Sequence, residues 1–135
     1  MSQKTVHNVG VIMNGVTGRM GLNQHLRRSL YAIMQQGGLP LSDREAIMPR
    51  PMLVGRSPSK LEWISKECGG LPWTTDLEKA LGDKDYSIYF DSQTTDRRAP
   101  CVRDAIAAGK HVYCEKPISD TLPVALDLYC AATRA

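Results

Sequence analysis

Val9-Gly10-Val11-Ile12-Met13 runs into Gly15-Val16-Thr17-Gly18-Arg19-Met20-Gly21, and from Arg19 to Gln36 the residues Leu22, Leu26, Leu30, Ile33 and Met34 recur at helical spacing. The apolar stretch from Val6 to Met13 is what a strand buried on both faces requires. A strand that turns sharply into a helix aims free backbone N–H groups at one point. The helix dipole adds partial positive charge there, so such a turn suits a phosphate. Gly15 would serve the turn, Gly18 the close approach of a pyrophosphate, and Gly21 the packing of helix on strand. Val16 and Met20 complete the loop, while Thr17 and Arg19 offer a hydroxyl and a cation. The first gap between glycines is one residue longer than in the usual dinucleotide pattern, and a glycine-rich turn with no ligand is the bland alternative. The strand before and the helix after it favour the cradle.

Outward from this unit, strand-like and helix-like stretches alternate. Gly37-Gly38 close the first helix, and Leu39 to Arg50, with its charges and with Pro40 and Pro49, reads as an inserted surface loop with one helical turn. Pro51 to Gly55 is a second strand. Ser57 or Ser59 caps a helix through Leu61, Ile64 and Cys68, which Gly69-Gly70 end. Trp73-Thr74 is a brief third strand, and Asp76 caps a short helix carrying Leu77, Ala80 and Leu81. Tyr86 to Phe90 is a fourth strand. Pro100 fits the first turn of a helix whose buried stripe is Val102, Ala105 and Ile106. His111 to Cys114 is a fifth strand, and Leu122 to Ala132 a last helix. This alternation predicts a doubly wound α/β domain over residues 1–135, with a mostly parallel sheet of about five strands and right-handed crossovers.

A length of 135 residues, 42% apolar and 23% charged, suits one globular domain. No apolar run nears the ~20 residues of a membrane span, and Met1-Ser2-Gln3-Lys4-Thr5 lacks the apolar core of a secretory leader. Cys68, Cys101, Cys114 and Cys130 lie far apart without metal-ligand spacing, and read as reduced core thiols of a cytoplasmic protein. No metal site is expected. The net charge of +3 comes with no continuous basic tract, which argues against nucleic acid as a partner.

Where a dinucleotide fold grips the adenosine ribose of NAD, a carboxylate ends the second strand. Here that strand ends Leu53-Val54-Gly55-Arg56-Ser57, with no acid. Glycine leaves room, and Arg56 and Ser57 can bond a 2′-phosphate, with Lys60 a helical turn further on. The expected cofactor is NADP, with NAD the second candidate. The alternative is that Arg56 and Lys60 are solvated surface charges.

Val9 to Gly21, Leu53-Val54-Gly55-Arg56 and above all Ala107-Ala108-Gly109-Lys110-His111-Val112-Tyr113-Cys114-Glu115-Lys116-Pro117 resemble the Gfo/Idh/MocA-type oxidoreductases. The resemblance runs in order over nearly the whole chain. It implies a Rossmann domain followed by a larger α/β substrate domain, which this sequence lacks. It also implies reversible hydride transfer at a carbinol carbon of a sugar, polyol or related small molecule. A homo-oligomer is expected as well, because without a sixth strand His111 to Cys114 would be an unpaired edge. Carried over by residue, Lys116 falls on the lysine near the nicotinamide ribose and the substrate hydroxyl, where an ammonium can stabilise an oxyanion or relay a proton. Pro117 matches a proline that often follows a cis peptide, and Glu115 would orient the turn. Ser92, Gln93 and Thr94 fall beside the nicotinamide ribose, but Asp91 to Asp96 is more polar than the family pattern there. Asp91 can face inward only with a partner.

The missing domain would hold the remaining catalytic residues, so His7, His25 and His111 read as structural. This chain alone is expected to bind cofactor weakly, turn over no sugar and self-associate. Two other readings stand beside this one. The loop from Gly15 to Gly21 also resembles that of dihydrodipicolinate reductases, which lack Glu-Lys-Pro at this place. A nucleotide-binding module without catalysis is the third.

Overall fold

The computed structural model describes residues 4–135; Met1, Ser2 and Gln3, part of the stretch read as lacking a leader, lie outside the described residues. Among the described residues, six strands and five helices follow in order: β1 Thr5–Asn14, α1 (residues 20–35), β2 Leu39–Ser42, β3 Glu45–Val54, α2 Pro58–Glu67, β4 Trp73–Thr74, α3 Leu77–Gly82, β5 Tyr86–Asp91, α4 Thr95–Ala107, β6 His111–Cys114 and α5 Leu122–Arg134. Helix α1 is π-wound over Met20–Tyr31 and α-helical over Ala32–Gln35. The strand order is β2-β3-β1-β5-β6, with β4 also against β3. All pairings are parallel except the β2–β3 hairpin.

The period-2 alternation of strands separates two cores. Val11, Met13, Leu53 and Phe90 face one side, packing with Leu26 of α1 and Leu61 and Ile64 of α2. Ile12, Val54 and Tyr89 face the other, against Ala80 of α3, Val102 and Ala105 of α4 and Leu128 of α5. This is the doubly wound arrangement expected from the alternation.

Several boundaries differ from the sequence reading. The stretch 39–50 is no loop: β2 pairs antiparallel with the first half of β3, which starts at Glu45 rather than Pro51. Two prolines are tolerated in β3 because of where they fall. The Leu53 N–H donates toward β4, to the Pro72 carbonyl at 2.9 Å. Successive N–H groups point to opposite edges, so Pro51 and Pro49 turn their missing donors to the same edge as Leu53. That edge is bare between the end of β2 pairing at Ile47 and the start of β4 pairing at Leu53. Pro costs no ladder bond there.

Only the carboxyl half of β1 is buried; Thr5 to Asn8 are exposed beside the hairpin. Helix α4 begins at Thr95, so Pro100 lies inside it rather than in its first turn. Ser57 stands at the N-cap of α2 without a side-chain capping bond, since its Oγ lies 3.3 Å from Ser59 Oγ. Asp76 does cap α3, accepting from the Lys79 N–H at 3.0 Å. Of the four free cysteines, Cys68 is buried in one core and Cys101 and Cys114 are half-buried against the other, while Cys130 is exposed because α5 packs through Leu128 and turns 130 outward. No helix among the described residues is long and apolar enough to cross a membrane.

Candidate cofactor site

Strand β1 lies between β3 and β5, which are reached by connections running to opposite sides. At such a switch point the loops after the strands part and leave a crevice at their carboxyl ends. The loop after β1 opens it. Gly15 has φ +83°, and a Cβ there would lie 2.7 Å from the Gln93 nitrogen. Its N–H donates to the Val54 carbonyl at 3.1 Å, and its carbonyl accepts from the Gly18 N–H at 3.0 Å. Glycine is demanded here twice, by handedness and by space.

Gly21 is demanded by packing. An added Cβ would meet Ser92 Oγ at 2.4 Å, the Gly15 carbonyl at 2.8 Å and Val16 Cα at 2.9 Å. Gly18 differs. A Cβ there would meet only the Gly15 carbonyl at 3.4 Å, so this position borders open space.

That space is a cavity of about 170 Å³ lined by Asn14, Gly15, Thr17, Gly18, Gly55 and Arg56 on one side, and by Ser92, Gln93, Thr94 and Arg97 on the other. The residues expected from the first glycine loop, the end of β3 and the end of β5 thus meet at one place. Gly55 is close to Thr17, with a Cβ placed 3.1 Å from Thr17 Cγ2. Two guanidinium groups, Arg56 and Arg97, give the lining a positive character. A glycine cradle, helix-start donors and cations form a donor set that fits a dinucleotide's phosphates.

Other expected residues sit apart from this cavity. The Val16 side chain is fully buried in the α1 and α2 core, so only its backbone is free to face a ligand. Arg19 and Met20 are exposed at the start of α1, and Ser57 is engaged with Ser59 rather than lining the cavity. Glu115, Lys116 and Pro117 follow β6, with a cis Lys116-Pro117 peptide and Lys116 exposed.

The two groups are joined by a buried polar network. Asp91, at the end of β5, has no exposed surface. Its Oδ2 accepts from Tyr89 Oη at 2.6 Å and Gln93 Nε2 at 2.9 Å; its Oδ1 accepts from the Gln93 N–H at 2.9 Å and Arg98 Nε at 3.3 Å. Tyr89 Oη in turn accepts from Asn14 Nδ2 at 2.9 Å. Burial, and next the Asp91 charge, push the Tyr89 phenol far above its ordinary range, so it stays a donor. Arg98 also donates from Nη2 to the Gln93 carbonyl at 2.6 Å and from Nη1 to the Pro117 carbonyl.

A second tie comes from α1, where His25 Nε2 donates to Glu115 Oε1 at 2.5 Å and its ring packs on Phe90 with centroids 4.5 Å apart. Ser92 closes the floor: its N–H donates to the Asn14 carbonyl at 3.0 Å and its Oγ to the Gly15 carbonyl at 3.2 Å.

Sequence reasoning left Asp91 waiting for a partner and did not single out Arg98, Tyr89, Asn14 or Arg97. A signal existed for Arg98: with Val102 and Ala105 it stands at helical spacing on the buried stripe of α4. A charge on that stripe implies a buried acid nearby.

No family model matches the chain. It is 41% identical over 120 residues to a D-xylose dehydrogenase of Paenarthrobacter nicotinovorans, across 89% of this chain and 31% of that protein. The chain therefore spans less than a third of that relative's length. A levoglucosan dehydrogenase solved with NADH and levoglucosan superposes with a TM-score of 0.71 at 25% identity, covering 96% of this chain and 32% of that one. A scyllo-inositol dehydrogenase of Lactobacillus casei, solved with NAD(H) and scyllo-inositol, gives a TM-score of 0.67 at 20% identity, over 97% of this chain and 34% of that one. At that identity the likeness is one of fold.

Proposed function

We propose that this chain is the nucleotide-binding domain of a Gfo/Idh/MocA-type oxidoreductase, a reading its likeness to the D-xylose and levoglucosan dehydrogenases supports, and that it binds a nicotinamide dinucleotide across the carboxyl ends of β1, β3, β5 and β6. The parent protein would move a hydride to or from a carbinol carbon of a sugar or polyol. The observation that carries this reading is the single cavity shared by the Gly15–Gly18 loop, Arg56 and the Ser92–Thr94 loop, with Lys116 tied to it through Arg98.

When bound, the nicotinamide supplies the hydride donor or acceptor. The chain's own residues bind and orient. Gly15 and Gly18, whose N–H groups are already bonded, shape the cradle, while Val16, Thr17, Arg19 and Met20 offer backbone donors, a hydroxyl and a cation to the pyrophosphate. Arg56, with Ser57 beside it, favours NADP over NAD, because no carboxylate ends β3 to bond a 2′-hydroxyl or repel a 2′-phosphate. Ser92, Gln93, Thr94, Glu115 and Pro117 shape the ribose side. Lys116 holds a proton at Nζ and stabilises negative charge on the substrate oxygen.

The substrate is assigned to a second domain beyond these residues, as D-xylose, levoglucosan and scyllo-inositol dehydrogenases are each about three times this length. A homo-oligomer of the parent is also proposed, on the outward Leu122, Leu126 and Tyr129 of α5. The reading of a cytoplasmic protein rests on four unpaired cysteines.

The test is titration of the chain with NADPH and NADH by fluorescence, then assay of the full-length protein with D-xylose and scyllo-inositol. Saturable binding, tighter for NADPH, supports the reading. Failure of a folded chain to bind either nucleotide overturns it.

A further inference from the structure

The Arg98 guanidinium is 3% exposed and bonds three groups at once: the Asp91 carboxylate, the Gln93 carbonyl and the Pro117 carbonyl. These belong to the end of β5, to the loop lining the cofactor cavity, and to the turn that carries Lys116. Asp91 has both oxygens occupied by Tyr89, Gln93 and Arg98, so it has no lone pair directed at a substrate.

Stability alone is a weak reason for this arrangement. A buried ion pair gains little over a well-packed apolar pair, because desolvation offsets the attraction. What the ion pair adds is direction. A planar fork with fixed donors can hold two backbone carbonyls at a set separation while its Nε side is anchored; an ammonium cannot.

We propose that Arg98 is a positioning residue for Lys116. Locked by Asp91, it holds the turn at 116–117 against the Gln93 loop, so that the lysine faces the nicotinamide end of the bound cofactor. This rests on the cofactor-site reading above, and the test separates the two.

In the full-length protein, lysines are reductively methylated with carbon-13, which keeps their charge, and the Lys116 signal is assigned with Lys116→Arg. The signal is followed during NADPH titration in the parent, in Arg98→Lys and in the double variant Asp91→Asn with Arg98→Met. The double variant removes both buried charges together and is designed to fold. We expect a cofactor-induced shift of the Lys116 signal in the parent, and less than half that shift in both variants at saturating NADPH, with affinity changed by less than tenfold. With D-xylose or scyllo-inositol, whichever is turned over, kcat is expected to fall at least tenfold with KM little changed.

A parental shift in Arg98→Lys would reduce Arg98 to a counter-ion for Asp91 and overturn the proposal, as would a parental shift in the double variant. Binding of NADPH to the parent with no shift at Lys116 would overturn the placement of Lys116 and this inference with it, while leaving the cradle intact. Loss of NADPH binding in the parent would overturn the cofactor reading itself.

Discussion

His25 and Glu115 stand 90 residues apart in sequence and 2.5 Å apart in space, Nε2 donating to Oε1. The contact ties the helix that starts at the glycine loop to the turn that carries Lys116. Both side chains are about one-fifth exposed, at 22% and 21%. The hydrogen bond from His25 holds the Glu115 carboxyl below its ordinary range, against a weaker opposing effect of burial.

The sign of the pH effect follows. A carboxylate with a lowered folded value contributes stability that is complete above its unfolded value of about 4.3 and fades as pH falls through the folded value. Glu115→Gln should therefore cost roughly 0.2–1 kcal/mol near neutral pH, a range suited to a partly exposed pair. The cost should vanish once the pH is below the folded value. Thermal melts of parent and variant across an acid series check this; a gap in Tm that persists unchanged at low pH would contradict it.

At Gly10 the backbone of Asp85 and Tyr86, where β5 begins, lies close against β1. A Cβ there would lie 2.2 Å from the Asp85 carbonyl and 2.7 Å from Tyr86 Cα, both backbone atoms, beside a shift of register between Gly10 and Val11. Backbone cannot swing aside as a side chain can. Gly10→Ala should destabilise by about 1–3 kcal/mol or more, as overpacking does, measured by urea unfolding. An unchanged midpoint would mean that β5 can retreat without cost.

Gly15 and Gly18 should separate folding from binding. Gly18→Val places a branched side chain at the cavity with room for its Cβ, so it should fold like the parent and lose dinucleotide binding. Gly15→Val combines a positive φ with a collision against Gln93. It should lose stability by at least about 1–2 kcal/mol, the cost of left-handed backbone for an L-residue. Calorimetric titration and circular dichroism on both variants give the comparison. A folded Gly18→Val with parental affinity would remove the pyrophosphate from this loop.

Arg56 bears on cofactor choice. Arg56→Ala should weaken NADPH binding by roughly 1.5–3 kcal/mol, the value of a hydrogen bond to a charged group, and leave NADH nearly untouched. Equal losses for both nucleotides would assign Arg56 to a general electrostatic role. Arg97, on the opposite wall of the same cavity, is the comparison to make in parallel.

Much of the architecture was legible in local pattern. Apolar runs of strand length, Gly15 before a helical stripe, Gly69-Gly70 after one and Asp76 before another are signals carried by neighbouring residues. Their physics, backbone handedness and hydrophobic periodicity, acts over a few positions. The β2–β3 hairpin escaped because Pro40 and Pro49 are poor strand residues by local rule. For Pro49 the edge its missing N–H faces makes it acceptable, and that edge is bare only because of where β2 stops and β4 begins.

For the candidate site, sequence alone named the segments around the cavity: the glycine loop, the end of β3 at Arg56 and the end of β5, with the Lys116 turn beside them. Each is announced by its own residues. Tertiary structure decided how they are joined. Asp91 finds Arg98, His25 finds Glu115, and Asn14 reaches Asp91 through Tyr89 because parallel strands bring distant carboxyl ends to one edge of the sheet. A buried charge is tolerated only where its partners converge, and convergence belongs to the folded chain.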